Sequence, residues 1–260
     1  MVTSKDNASY KTWLKLAQKK YRYAEQLFLV EGAHLVSEAA EAGVLVELIV
    51  CEDVHFEREE VVKNSPVKTT HLSRPLFEKL ASTVTTAGVM GVCRMLKKPI
   101  SKTNRLLLLD AIQDPGNLGT LLRSALAFGF DGVILSPDTV DVYNPKVVRA
   151  TQGALFKLAM HQTDLNAYMA DLKKQGVLIY AATLTQEAQP LEFLPAAKQL
   201  AFVLGNEGAG IRPEIVEACT GSVIIEMAPE VESLNVGVAG SILMHRFKGL
   251  TQGDKHEHNS

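Results

Sequence analysis

The stretch Gly221-Ser-Val-Ile-Ile-Glu-Met-Ala-Pro-Glu-Val-Glu-Ser-Leu-Asn-Val-Gly-Val-Ala-Gly-Ser241 decides the fold. It opens as an apolar run, Val223-Ile224-Ile225, and turns at Ala228-Pro229. It then passes through Glu232-Ser233-Leu234-Asn235 into an apolar segment that predicts a helix. A Ser and an Asn at a handover from strand to helix can bond a small ligand or cap the helix. Just upstream, the Gly-rich turn Leu204-Gly205-Asn206-Glu207-Gly208-Ala209-Gly210 follows the apolar run 200–204. Further out, Asp114-Pro115-Gly116-Asn117-Leu118-Gly119-Thr120 follows the apolar run 106–109 and leads to Arg123.

Around these turns the strands are apolar throughout, at 106–109, 132–135, 177–180, 200–204 and 223–225. Strands buried on both faces of a parallel sheet read this way. Helices are expected between them at 118–128, 145–151, 164–175, 213–218 and 236–250, which makes residues 105–250 a doubly wound α/β domain. Before it, a helix at 8–24, strands at 28–30, 46–51, 67–72 and 89–95, and helices at 31–42, 52–63 and 74–80 form a small α/β domain over 1–98. The polar run Lys97-Lys98-Pro99-Ile100-Ser101-Lys102 marks a linker, placed at 99–104, and residues 251–260 form a polar tail.

With 260 residues and a 47% hydrophobic fraction, the chain can bury a substantial core. Its apolar runs are far shorter than the ~20 residues that span a membrane, and its first residues carry no apolar signal core. Cys51, Cys93 and Cys219 form no CxxC pair and read as reduced thiols in a cytoplasmic protein. No metal site is expected, and His256-Glu257-His258 reads as a frayed terminus. The net charge of −2 hides a local excess: Lys5, Lys11, Lys15, Lys19, Lys20 and Arg22 stand against Asp6 alone in the first 22 residues. Lys11, Lys15 and Lys19 share one face of a continuous helix, either simply solvated or set against RNA phosphates.

The three turns together resemble the motifs of the SpoU (TrmH) family of RNA ribose 2'-O-methyltransferases, of the SPOUT class. Asn117, Gly119 and Arg123 match its first motif; Gly205, Asn206, Glu207 and Gly208 its second; Ile225, Met227 and Ser233 to Ala239 its third. Glu226 stands where the family usually has Pro. The resemblance implies a trefoil-knotted parallel-sheet domain, preceded by a small α/β RNA-binding domain whose usual opening Phe28-Leu29-Val30-Glu31-Gly32 fits. It implies S-adenosylmethionine as cofactor, RNA as partner (ribosomal ahead of transfer RNA) and a homodimer, with Val236, Ile242, Leu243 and Phe247 contributing to the interface.

Transfer to a ribose 2'-hydroxyl requires a cofactor pocket, a held ribose and help in removing a proton. By resemblance, Gly205, Ile225 and Leu234 bind the cofactor, with Thr183 toward its adenosine end, while Arg123, Asn117, Glu207, Ser233 and Asn235 are the catalytic set. Arg keeps its proton, which favours a role for Arg123 in orienting and polarising the hydroxyl, with base character open. Glu207 is expected to fix Arg123 or the loops through charge-assisted bonds, and Asn117 to cap the helix near Leu118 or to bond the RNA or the motif loops. The alternatives are a transfer-RNA methyltransferase and an RNA-binding ribosome-assembly factor without catalysis. A dinucleotide-dependent oxidoreductase ranks last, since no GxGxxG follows the first strand of either half.

Overall fold

A computed structural model of the chain describes residues 2–53, 67–82, 86–185, 187–195 and 197–248. The expected helix at 52–63 and the tail at 251–260 therefore fall wholly or mainly outside the described residues. The first elements are α1 (Ala8–Lys15), α2 (Lys19–Glu25), β1 (Leu27–Glu31), α3 (Ala33–Glu41), β2 (Leu45–Cys51), β3 (Lys68–Leu72), α4 (Arg74–Leu80) and β4 (Val89–Arg94). Next come β5 (Arg105–Leu109), α5 (Pro115–Ala127), β6 (Gly132–Leu135), α6 (Pro145–Thr151), α7 (Ala154–Lys157) and β7 (Met160–Gln162). The last are α8 (Leu165–Lys174), β8 (Leu178–Ala182), β9 (Gln189–Pro190), β10 (Leu200–Leu204), α9 (Pro213–Ala218), β11 (Gly221–Ile224) and α10 (Val236–Arg246). No helix among the described residues is long and apolar enough to cross a membrane. All three cysteines are free, and burial pushes the Cys93 thiol up and that of Cys219 up to about 12.

Two compact units result: Met1–Leu96 with Asp141–Lys157, and Lys97–Val140 with Leu158–Ser260. The first carries a four-stranded sheet in the order β1-β4-β2-β3, in which only β2 and β3 run parallel. The sequence reading grouped 141–157 with the later strands; its contacts group it with the first unit. Polarity explains this. Arg22 is only 3% exposed, and its guanidinium pairs with the equally buried carboxylate of Asp141. The other carboxylate oxygen of Asp141 accepts from the Tyr23 hydroxyl (3.0 Å) and the Tyr143 N–H (3.1 Å). Around this knot of charge Phe28 packs on Tyr143 and Phe156, at ring separations of 4.7 and 6.3 Å.

Arg22 also breaks the helix expected over 8–24. Its Nη1 donates to the carbonyls of Leu16 (2.9 Å) and Ala17 (2.8 Å), so these carbonyls leave the helical ladder and a second helix starts at Lys19. The lysines consequently do not line one continuous face, and Arg22 is absent from the surface. Lys11 pairs with Asp6 at 2.8 Å. Lys15 and Lys20 lie over the Tyr21 ring, and Lys19 over that of Tyr23, at 5.6, 5.9 and 5.7 Å.

In the second unit seven strands, all in parallel pairs, take the order β7-β6-β5-β10-β8-β11-β9. The apolar runs at the centre are buried end to end, as two-sided coverage requires. The strands β7 and β9 were not foreseen; at three and two residues they are too short to carry an apolar pattern.

Replacing Asp141 by Ala strands a buried guanidinium, and the first unit should lose about 3–5 kcal/mol. Urea unfolding of the full-length variant, followed by circular dichroism, should show the loss; an unchanged midpoint would mean the pair is not what anchors residues 141–157.

Candidate active site

The three motif turns lie at the C-terminal ends of β5, β10 and β11, where open parallel sheets place their ligands. Asp114, rather than Asn117, caps α5: its Oδ1 accepts the Asn117 N–H at 2.8 Å, and Pro115 occupies the first turn. The helix therefore starts three residues earlier than expected, and the side chain of Asn117 is released. Asn235 caps α10, its Oδ1 accepting from Gly237 (2.9 Å) and Val238 (3.2 Å).

These two asparagines and Glu207 join the motifs in a directional chain. Asn235 Nδ2 donates to Asn117 Oδ1 at 2.8 Å, and Asn117 Nδ2 donates to Glu207 Oε1 at 3.0 Å. The carboxylate also accepts from the backbone N–H groups of Asp114 (3.1 Å) and Gln113 (3.2 Å). Desolvation pushes the Glu207 carboxyl up. The bonds from Asn117 and from the backbone of Glu207, Gln113 and Asp114 outweigh it, so the net shift is below the ordinary carboxylate range. Of the two roles foreseen for Glu207, the hydrogen bonds are those of loop fixation; among the described residues no bond joins it to Arg123.

Arg123 is exposed on α5, and no hydrogen bond or ion pair among the described residues involves it. Its helix packs closely on α10: a Cβ on Gly240 would stand 2.3 Å from Leu121 Cδ2, and Ser124 meets Ser241 at 2.8 Å. Ser233 is likewise exposed and makes no hydrogen bond among the described residues.

A cleft of about 790 Å³ opens among these turns, within the size range of small-molecule sites. Gly205, Ile225, Leu234, Thr183, Ser233, Asn117, Glu207 and Asn235 all line it; Arg123 does not. Its apolar wall is only partly buried, at Ile224, Ile225, Met227 and Leu234, so these side chains have surface left to cover a ligand. Polar loop backbone from Asn206 to Gly210 forms the facing side. This mixture fits S-adenosylmethionine, with an adenine ring to sandwich and a charged amino-acid end to solvate.

Gly205 is glycine for a reason internal to the chain. A Cβ there would sit 2.3 Å from the Gly210 carbonyl carbon and the Ile211 nitrogen, so its own loop, folded back as a hairpin, is what approaches. Asn206 holds that hairpin, its Oδ1 accepting from Gly208 and Ala209 at 2.9 Å, and its Nδ2 donating to the Ala111 carbonyl at 2.9 Å. Ala111 is left-handed (φ 56°). Sequence reasoning missed a second brace: buried Asp110 accepts from the Arg212 N–H and Nε, each at 2.9 Å. An Asp ending an apolar strand was the available signal. Among the described residues no group of three or more His, Cys, Asp or Glu gathers as a metal site.

Residues 104–245 match the model of the SpoU rRNA Methylase family, and residues 7–91 that of the MRM3-like substrate binding domain. The chain is 34% identical over 249 residues, 95% of its own length and 99% of the relative's, to the 23S rRNA (guanosine(2553)-2'-O)-methyltransferase RlmP of Bacillus subtilis. It is 28% identical to the human mitochondrial rRNA methyltransferase 3, covering 90% of this chain and 70% of that one. The AdoMet-bound rRNA methyltransferase from Sinorhizobium meliloti superposes with a TM-score of 0.84 at 25% identity, covering 95% of this chain and 96% of the other.

Gly205→Ala forces the 205–211 hairpin away from the C-terminal end of β10. Titration calorimetry with S-adenosylmethionine should show affinity reduced at least tenfold, with the first unit still folded; wild-type affinity would show that the hairpin does not shape the cleft.

Proposed function

Because the chain belongs to the SpoU rRNA methylase family, we propose that it methylates a ribose 2'-hydroxyl of ribosomal RNA, at a guanosine of the large-subunit RNA. The observation that carries this reading is the single cleft into which all three motif turns are tied by Asn235, Asn117 and Glu207. The target nucleotide class is taken from the RlmP relative, whose likeness runs through nearly all of both chains. S-adenosylmethionine supplies an electrophilic methyl group when bound.

The residues divide by what their polar atoms are free to do. Asn117, Glu207 and Asn235 spend theirs on each other and on the loops, and act as positioning residues. Gly205, Ile225, Leu234 and Thr183 contribute the cofactor walls. Arg123 and Ser233, whose side chains make no hydrogen bond among the described residues, keep donors for the substrate. A guanidinium, protonated at neutral pH, orients a phosphate in two-pronged fashion and polarises the attacking oxygen.

Residues 1–98 are the RNA-binding part, supported by the substrate-binding match, and 105–250 the transferase part. Lys15, Lys19 and Lys20, without ion pairs among the described residues, give the former its phosphate-facing surface. The knot expected of the second domain is supported by strand order: β10 and β11 each enter between strands laid down earlier. Three free thiols support residence in the reducing cytoplasm.

A homodimer is proposed through α10, with a changed set of contacts. Leu243 and Phe247 belong to the core, whereas Val238 and Ile242, one turn apart, are 46% and 37% exposed. Sedimentation should find wild type dimeric at micromolar concentration and Ile242→Glu monomeric; a wild-type monomer would remove this interface.

Arg123→Ala should lower single-turnover methyl incorporation into ribosomal RNA by about a hundredfold or more, as loss of a transition-state donor does. Calorimetric S-adenosylmethionine affinity should stay near wild type, and Lys should rescue poorly. Near-normal transfer by the Ala variant would take Arg123 out of the mechanism.

A further inference from the structure

The first unit contains a cavity of about 190 Å³ that no part of the transfer reaction uses. Its walls are apolar: Trp13, Leu16, Leu29, Met90 and Val148. Arg22 also lines it. Four of the five N–H groups of that guanidinium are engaged, by Asp141, Leu16 and Ala17, which leaves one donor. Two cations, Lys79 and Arg149, and one carboxylate, Glu31, stand among the lining residues, the carboxylate accepting from the Ser82 N–H and hydroxyl. Lys79 is exposed and makes no ion pair among the described residues. Arg149 donates to Ser82.

An apolar slot with one buried donor, and with two cations against one carboxylate among its lining residues, has the chemistry of a nucleotide site: a flat ring between apolar walls, an acceptor on its edge, a phosphate outside. The segment that supplies Leu16 and Ala17 to the slot also carries Lys15, Lys19 and Lys20, three lysines without ion pairs among the described residues, held over tyrosine rings. A strand drawn to those lysines by its phosphates passes the place where a base can leave the stack. Single-stranded RNA is commonly held in this way, with bases splayed against aromatic and apolar side chains.

We propose that this cavity takes one unstacked nucleobase of the RNA substrate, away from the nucleotide that is methylated. The proposal rests on the reading of the protein as an RNA methyltransferase. It gives the first unit a second kind of grip: phosphates would hold RNA of any sequence, whereas a slot requires an unpaired base and so selects for RNA with a flipped or single-stranded nucleotide.

Trp13 is the only tryptophan in the chain and lies in the wall, so it reports occupancy directly. Short mixed-sequence single-stranded RNA and the same ribose-phosphate backbone without bases are titrated into the full-length protein. Saturable change of Trp13 emission is expected with the RNA and not with the abasic backbone. Ala17→Phe, at an exposed position on the cavity, should abolish the emission change and weaken RNA binding about tenfold while keeping the wild-type melting temperature. Lys79→Ala, also exposed, should weaken binding severalfold and keep the emission change. An equal emission change with abasic backbone would overturn the proposal. So would RNA binding without any change, or an Ala17→Phe variant that behaves as wild type. None of these readouts requires methyl transfer, so their failure leaves the proposed activity standing, and absence of transfer would leave the cavity standing.

Discussion

The Glu207 carboxylate is the constraint on which the site depends. It is the terminal acceptor for one side-chain amide and two backbone N–H groups, from residues 90 to 94 positions away. Through Asn117 it also fixes Asn235, which lies 118 positions after Asn117. Every link has a defined direction because a carboxylate only accepts: Asn117 must turn its NH₂ toward Glu207, so its carbonyl faces Asn235, whose own carbonyl is then left for the helix N–H groups. Partial burial works against the charge, and the number of donors decides the balance. The same carboxylate without those donors would be a solvated turn acid, and the three loops would have no common reference.

Much of this was legible beforehand. The central strands β6 and β10 occupy the residues where the apolar runs placed them, as do α6 and α9. Two-sided burial leaves an unmistakable signature: no polar residue interrupts the run. The cleft-lining positions Gly205 and Thr183 were also visible, as a glycine turn and a small polar residue after apolar strands, whereas Ile225 and Leu234 came only from the family resemblance and on composition alone read as core. What escaped was non-local. Arg22 reads as one more cation of a basic face until Asp141, 119 positions later, is seen to bury it. The break at residues 16–18 follows from that burial rather than from any helix breaker in the sequence. Gly205 likewise reads as a ligand contact until its own chain is seen folded back upon it.

A helix face is also cheap to misjudge. Leu243 and Ile242 on α10 and Phe247 at its C-terminal cap look alike in a list of apolar residues, yet Leu243 and Phe247 complete the core and Ile242 is left outside. What separates them is the close approach of α10 to α5, allowed by Gly237 and Gly240 and by the Ser124–Ser241 bond. Small residues there let two helix backbones come together, which rotates the large side chains into one side of the helix and bares the other.

The strand order has a consequence for how the chain is made. β10 pairs with both β5 and β8, so the middle of the second sheet stays an open slot until residue 204 has been synthesised. The first unit is in the same position, since its buried Arg22 has no counter-charge until Asp141 appears. At ordinary translation rates of about 5–20 residues per second, several seconds pass with apolar strand edges uncovered. Both units therefore close late and over long loops, a topology that folds slowly and leaves apolar strand edges open to aggregation until it is complete.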